Sequence, residues 1–430
     1  MRLAGLSALL ALSCAAAARG ETVLGVGGLT VEGRVVALDD ARRLVVETGR
    51  AKAGGRRTVR IPLADAVEIH YGRAAAAEGG AAVSVAPRTI LFENGDRLEG
   101  DVARIENERF VVVTRRLGRL SVPLTAVRGV LHPRQGVSES IGAAARAAVE
   151  TGEATAEDVL FLANGDRSAG VIAKLGGGRV EMDHLALGKR VVVDLHDVIA
   201  LRFARLPGVK KPAPAGGVVA TLGTADGSRL SGPLLAASTE KLRIAWLGGE
   251  GRKAGLAVPV RDLERVSFRG GRLVWLSDLA PGAREERPLL GPPFTLGLDR
   301  RPGGGALSIG GRAFRRGLAT RARSRYTWRL AGAFEAFESY IGIDDETGGA
   351  RSAAGRGEGR VAFRVLVDGE EKYNSGPVRG GEAARYVRVP LTGAAEITLC
   401  VDEDGELDLA DLADWAEAHL VRPKGKEKRE

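Results

Sequence analysis

An internal repeat constrains this chain more than any other feature. Leu91-Phe-Glu-Asn-Gly-Asp-Arg-Leu-Glu-Gly100 is echoed by Phe161-Leu-Ala-Asn-Gly-Asp-Arg-Ser-Ala-Gly170. In each, an apolar strand meets Asn-Gly, a strong hairpin signal, and a second strand opens with Asp-Arg. A looser copy carries Asp226-Gly-Ser-Arg-Leu-Ser-Gly232, and the first copy keeps only Gly33, in Leu29-Thr-Val-Glu-Gly-Arg-Val-Val36. Each copy continues through further apolar strands, such as Phe110 to Val113 or Val191-Val-Val-Asp-Leu195, and closes on an apolar pair such as Val127 and Val130. About five short strands in roughly 50 residues is the content of a small SH3-like or Sm-like barrel. So small a unit buries little surface alone, which predicts that neighbouring copies pack against one another.

The expected organisation is a signal peptide (1–20), small barrels at 21–72, 89–133, 159–204 and 218–271, linkers at 134–158 and 205–217, a C-terminal domain at 272–422 and a disordered tail at 423–430. The leader has one positive charge at Arg2, an apolar run from Leu3 and small residues before the expected cleavage. It is shorter than the roughly 20 residues a spanning helix needs. Cys14 follows a poor lipoprotein signal, so the chain reads as exported: secreted, periplasmic or on the cell surface. Removal of Cys14 leaves Cys400 alone, without a disulfide partner, most simply as a small packed residue. The 60 glycines and few aromatics favour many turns and short strands, and no segment sustains an amphipathic helical period beyond an Ala-rich stretch within 135–158. The class is all-β.

No enzyme is visible. The five histidines have no metal-ligand spacing on one helix, and neither a Gly-x-Ser-x-Gly elbow nor a phosphate-binding Gly-Lys-Ser/Thr loop occurs. Asp96-Arg97 and Asp166-Arg167 recur at one place in the repeat, which suits a local turn bond better than catalysis. The net charge of +9 raises nucleic acid, but acids interleave the arginines and the repeats lack aromatics placed for base stacking. A polyanionic glycan or an anionic surface fits an exported basic chain better.

The C-terminal domain centres on the stretch from Gly317 to Glu346. Tyr326, Trp328 and Leu330 alternate in one apparent strand, and Phe337, Ile341 and Ile343 share a face of the next, read as joined to the first by a short turn. Asp344, Asp345 and Glu346 close that strand. The pieces Gly317-Leu318, Gly342-Ile-Asp-Asp-Glu346, Val361-Ala-Phe-Arg-Val-Leu-Val-Asp-Gly369 and Asp411-Leu-Ala-Asp-Trp-Ala-Glu-Ala-His-Leu420, in this order and spacing, resemble the NPCBM family of carbohydrate-binding modules, secreted β-sandwiches often attached to glycoside hydrolases. The resemblance covers about residues 272–422 and implies a galactose-binding-like β-sandwich (jelly roll) that binds a glycan. The family usually carries a His in the segment where this chain has Thr320-Arg321-Ala322, and another where it has Leu412.

Candidate ligand-binding residues are Arg321, Arg323, Asp344, Asp345, Glu346 and Trp415. Arginine forks suit carboxylates, sulfates and sugar hydroxyls. Strict alternation sets Trp415, Glu417 and His419 opposite Ala416, Ala418 and Leu420, so Trp415 either stacks on a sugar ring or packs beneath a loop. Asp404, Asp408 and Asp411 lie in an acidic loop whose oxygens can hold calcium, which the resemblance permits; no cofactor is required. The leading reading is a non-catalytic glycan-binding protein. The alternative, favoured by the missing histidines, is an envelope scaffold whose sandwich no longer binds sugar and contacts other envelope proteins.

Overall fold

The computed structural model describes residues 21–50, 56–72, 88–151, 155–205, 217–246, 248, 255–287, 295–302, 304–345, 359–404 and 412–424. The expected signal peptide, the 73–87 segment, Glu346, Asp408, Asp411 and most of the tail and of the 205–217 linker lie outside these residues.

The chain is almost wholly β. Each of the first three repeats supplies five strand segments paired in the order fourth, third, second, first, fifth, and in the fourth repeat the second strand is split into Arg229–Gly232 and Leu234–Ala237. In the second copy the five segments are Arg88–Phe92, Arg97–Glu106, Arg109–Thr114, Gly118–Pro123 and Val127–Leu131. The second strand carries a bulge in every copy, at Val35/Ala37, Val102/Arg104, Ile172/Lys174 and Leu234/Ala236, so a long strand can bend and serve two neighbours. The repeated glycine lies just before that bend. A Cβ at Gly33, Gly100, Gly170 or Gly232 would come within 2.3, 2.8, 2.3 or 2.1 Å of a carbonyl oxygen on the third strand. No other residue fits so close a backbone approach, which is why this position survives where the rest of the motif fades.

The copies also pair with one another. The closing strand of the first, Ala66–Tyr71, joins that of the fourth, Leu263–Arg269, and Val127–Leu131 joins Val198–Arg202. One continuous apolar core runs through all four copies, from Val23 to Phe268. The Ala-rich stretch forms a helix, Glu139–Glu150, with Ser138 capping its N-terminus. Ala145 and Val149 pack on Leu131, Phe161 and Ile199, so this segment covers a sheet rather than merely linking two copies.

The C-terminal domain is a two-sheet sandwich. One sheet orders Gly297–Leu298, Gly317–Arg321, Leu412–Val421, Ala336–Ile343 and Arg385–Pro390, with Leu273–Trp275 also paired to Leu412–Val421. The other orders Ala283–Glu286, Ser324–Arg329, Glu396–Glu403, Arg360–Val367 and Glu370–Arg379. Tyr326, Trp328, Phe337, Ile341 and Ile343 fill the space between them, as their alternation predicts. The strands carrying Tyr326 and Phe337 are joined by a short turn, as read from the sequence, but Ser324–Arg329 and Ala336–Ile343 belong to opposite sheets and do not form a hairpin. The turn signal marks a crossing of the sandwich, because both strands bury their apolar faces against each other rather than pairing edge to edge. A small hairpin, Leu307–Ile309 with Arg312–Phe314, packs Leu307, Ile309 and Phe314 on the outer face of the first sheet.

The sandwich is docked onto the first repeat. Leu273 and Trp275 cluster with Leu24 and Val67, and Arg272 forms ion pairs with Asp65 on one side and Glu335 on the other. Buried Cys400 packs within its strand, and burial pushes its thiol up to about 11.

Candidate ligand-binding end of the sandwich

Several strands of the sandwich finish at one end. There Arg321 pairs with Leu412, whose carbonyl accepts the Asp344 N–H at 3.0 Å. Arg321 and Asp344 thus flank Leu412 from the strands on either side, about 10 Å apart by the strand spacing. Arg323 occupies the turn into Ser324–Arg329, in the left-handed region at φ 59°. Thr320 donates its hydroxyl to the Ala413 carbonyl at 2.7 Å and locks the strands together.

The end therefore gathers Arg321, Arg323, Asp344 and Asp345 and commits them to contacts within the protein. Asp345 accepts the N–H groups of Gly310 (2.8 Å) and Gly311 (2.9 Å) and so caps the turn of the outer hairpin. Asp344 is buried and accepts from Ser308 N at 3.1 Å and from Arg301 at 3.2 Å. Arg323 grips Glu403 through both its Nε and Nη2. Asp404 is ion-paired with Arg360 at 2.9 Å. Arg321 is half-buried beside Leu412.

Trp415 requires a correction. Its indole is fully buried between Phe337 and Phe363, with ring centroids 6.0 and 5.0 Å away. The strand Leu412–Val421 does not alternate strictly: its register against Ala336–Ile343 shifts between Glu338 and Tyr340, and Glu417 has φ 51°. This bulge inserts one extra residue and reverses the phase. Trp415 consequently shares the inner face with Ala418 and Leu420, while Asp414 and Ala416 face outward. No stacking platform exists at this position.

Sequence reasoning missed a buried acid pair at the same end. Asp414 lies opposite Ala319 and Gly342, and burial together with the negative charge of Asp344 pushes its carboxyl well above the ordinary range. Asp344, for its part, is paired with Arg301 at 3.2 Å, so the two carboxyls sit in one buried cluster with the Arg301 guanidinium beside it. The signal was present in Asp411-Leu-Ala-Asp414, but only the pairing of three strands brings Asp344 to it.

Residues 272–421 match the NPCBM/NEW2 domain family model, which bears out the resemblance drawn from the sequence motifs. This third of the chain is a module of that family. A protein of Renibacterium salmoninarum named "Putative endo-alpha-N-acetylgalactosaminidase" is 34% identical over 118 residues, which is 27% of this chain and 7% of that protein. Among solved structures, the CBM51 module of Clostridium perfringens GH95, in complex with methyl-galactose, is 23% identical, with 35% of this chain and 99% of that one aligned at a TM-score of 0.30. The tandem CBM51 modules of Sp3GH98 from Streptococcus pneumoniae are 14% identical, with 94% and 88% aligned at 0.29. Among the described residues, no helix is long and apolar enough to cross a membrane.

Proposed function

We propose that this chain is an exported, non-catalytic carbohydrate-binding protein that takes a glycan at the Arg321–Leu412–Asp344 end of its sandwich. The match of residues 272–421 to the NPCBM/NEW2 domain carries this reading. At that end Arg321 supplies a planar donor set, and Leu412 offers a small apolar surface to a sugar's C–H face. The buried acid pair and the Asp345-capped hairpin hold the end rigid, so little ordering is needed on binding. The repeat assembly is then a scaffold that presents the module. Only a small part of the Renibacterium protein is shared, so the activity in its name is not carried over.

A glycan array that includes galactosides and N-acetylhexosaminides, probed with the full chain with and without calcium, tests this. Arg321→Ala should weaken binding to the best glycan roughly 5- to 150-fold while the chain still folds, as its circular dichroism checks. Release of sugar from a bound oligosaccharide would overturn the non-catalytic part, and loss of binding in chelator would make calcium a participant. A second reading, an envelope scaffold without sugar binding, draws support from Trp415 in the core and from Arg323, Asp345 and Asp404 all being internally paired. An array blank for every glycan would favour it.

A further inference from the structure

A cavity of about 540 Å³ lies between the repeat assembly and the sandwich. The repeats contribute Arg229, at the head of Arg229–Gly232, and Arg265. The sandwich contributes Arg300, after Gly297–Leu298, and the consecutive Arg315 and Arg316 that precede Gly317–Arg321. Two of these five guanidiniums are neutralised: Arg265 by Glu68 at 2.6 Å, and Arg316 by Asp299 at 2.9 Å and Asp278 at 2.7 Å. Among the described residues, no carboxylate lies within ion-pair distance of Arg229, Arg300 or Arg315, all three exposed to the cavity. Glu264 is the one acid of the lining without a cation of its own, so positive charge is in excess.

The fold keeps that charge together at a cost. Enclosure by the cleft walls, followed by the nearby charges of Arg315, Arg97 and Arg316, holds the Arg229 guanidinium below its ordinary value. Like charges converging from two domains, three of them without an ion-pair partner among the described residues, form a ready anion site, and arginine forks match planar or tetrahedral oxyanions. The rest of the lining suits a sugar. Leu298 stands 44% exposed in the cavity beside Trp275, and Thr221, Ser228 and Ser267 bring hydroxyls. An apolar wall, scattered hydroxyls and a concentrated cation cluster fit one kind of ligand.

We propose that this interdomain cleft is a second binding site, and that it takes an acidic sugar unit whose sulfate or carboxylate is held by Arg229, Arg300 and Arg315. It is independent of the Arg321 end, so either site can fail without the other.

Isothermal titration of the full chain with a heparin-derived tetrasaccharide, a polygalacturonate-derived tetrasaccharide and a neutral tetrasaccharide tests the proposal at low and at physiological ionic strength. The first two separate sulfate from carboxylate recognition. At least one should saturate at a single site, and Arg229→Gln and Arg315→Gln should each weaken it roughly 10-fold. Arg119→Gln, which removes an exposed arginine that is not part of the cleft lining, should leave it unchanged. Should one cleft variant fail to fold, the other decides. The proposal is overturned if neither acidic tetrasaccharide saturates, if the neutral one binds equally well, if the Arg229/Arg315 double variant binds like the parent, or if Arg119→Gln weakens binding as much as the cleft variants do.

Discussion

The Glu338 carboxylate accepts the backbone N–H of Gly27 at both oxygens, 3.0 and 2.9 Å, across 311 residues of sequence. Glu338 sits on the outer face of the sandwich, and Gly27 is the turn of the first hairpin of the first repeat. His419 at 3.2 Å and Arg388 complete the cluster around the same carboxylate. A buried charge so satisfied fixes one docking geometry between domains, and Arg272 reinforces it by bridging Asp65 and Glu335.

Glu338→Ala should therefore loosen the junction. Removing one member of a buried ionic cluster strands the others and costs on the order of 3 kcal/mol. Hydrogen exchange at Gly27 should accelerate while the amides of the sandwich core stay protected. Unchanged exchange at Gly27 would show that the contact does not hold the domains together.

The same cluster sets a pH dependence. Burial alone would raise the Glu338 pKa, but hydrogen bonds from His419 and Gly27 and the charge of Arg388 hold it below its ordinary value of 4.5. A carboxylate depressed in the folded state contributes stability that is fully present above its unfolded pKa and is lost as pH falls through the folded value. The melting-temperature gap between the parent and Glu338→Gln should be constant from neutral pH down to about 4.5 and shrink below it. A gap that widens on acidification would contradict the assignment.

Trp415→Ala should act on folding, not on recognition in isolation. The indole fills the space between Phe337 and Phe363, and its removal should cost about 3–5 kcal/mol. Thermal melting of the variant reads this directly, and an unshifted midpoint would place the ring outside the core.

Gly95 has φ 87° and no atom near where a Cβ would stand, so its requirement is purely conformational. Asn94 closes the turn by accepting the Asp96 N–H at 3.0 Å. Gly95→Val should cost about 1–3 kcal/mol, because a β-branched residue pays the full strain of a left-handed turn. Denaturant unfolding checks it; an unchanged midpoint would mean that the turn relaxes freely.

Local chemistry is legible in the sequence, because turns and alternation depend on near neighbours alone. Asn94-Gly95 and Asn164-Gly165 specify tight turns with positive φ, and both glycines adopt it. The recurring glycine marks the crowded bend of each copy, Tyr326 and Trp328 point inward, and the motifs from Gly317 to Leu420 identify the C-terminal module. Pairing across distance is not legible in this way. Asp96 looked like a turn residue, yet it also accepts the Ser231 N–H at 3.0 Å and the Trp246 indole at 2.8 Å from the fourth repeat. A single bulge at Glu417 turned Trp415 from a surface candidate into core, because one inserted residue reverses every side chain on one side of it. The sequence by itself thus determined the strands, their turns and the family of the last domain. Which strands meet, which carboxylates are consumed in joining them, and the arginine-lined cleft between the domains were decided only by tertiary structure, since those contacts join residues whose local sequences carry no mark of one another.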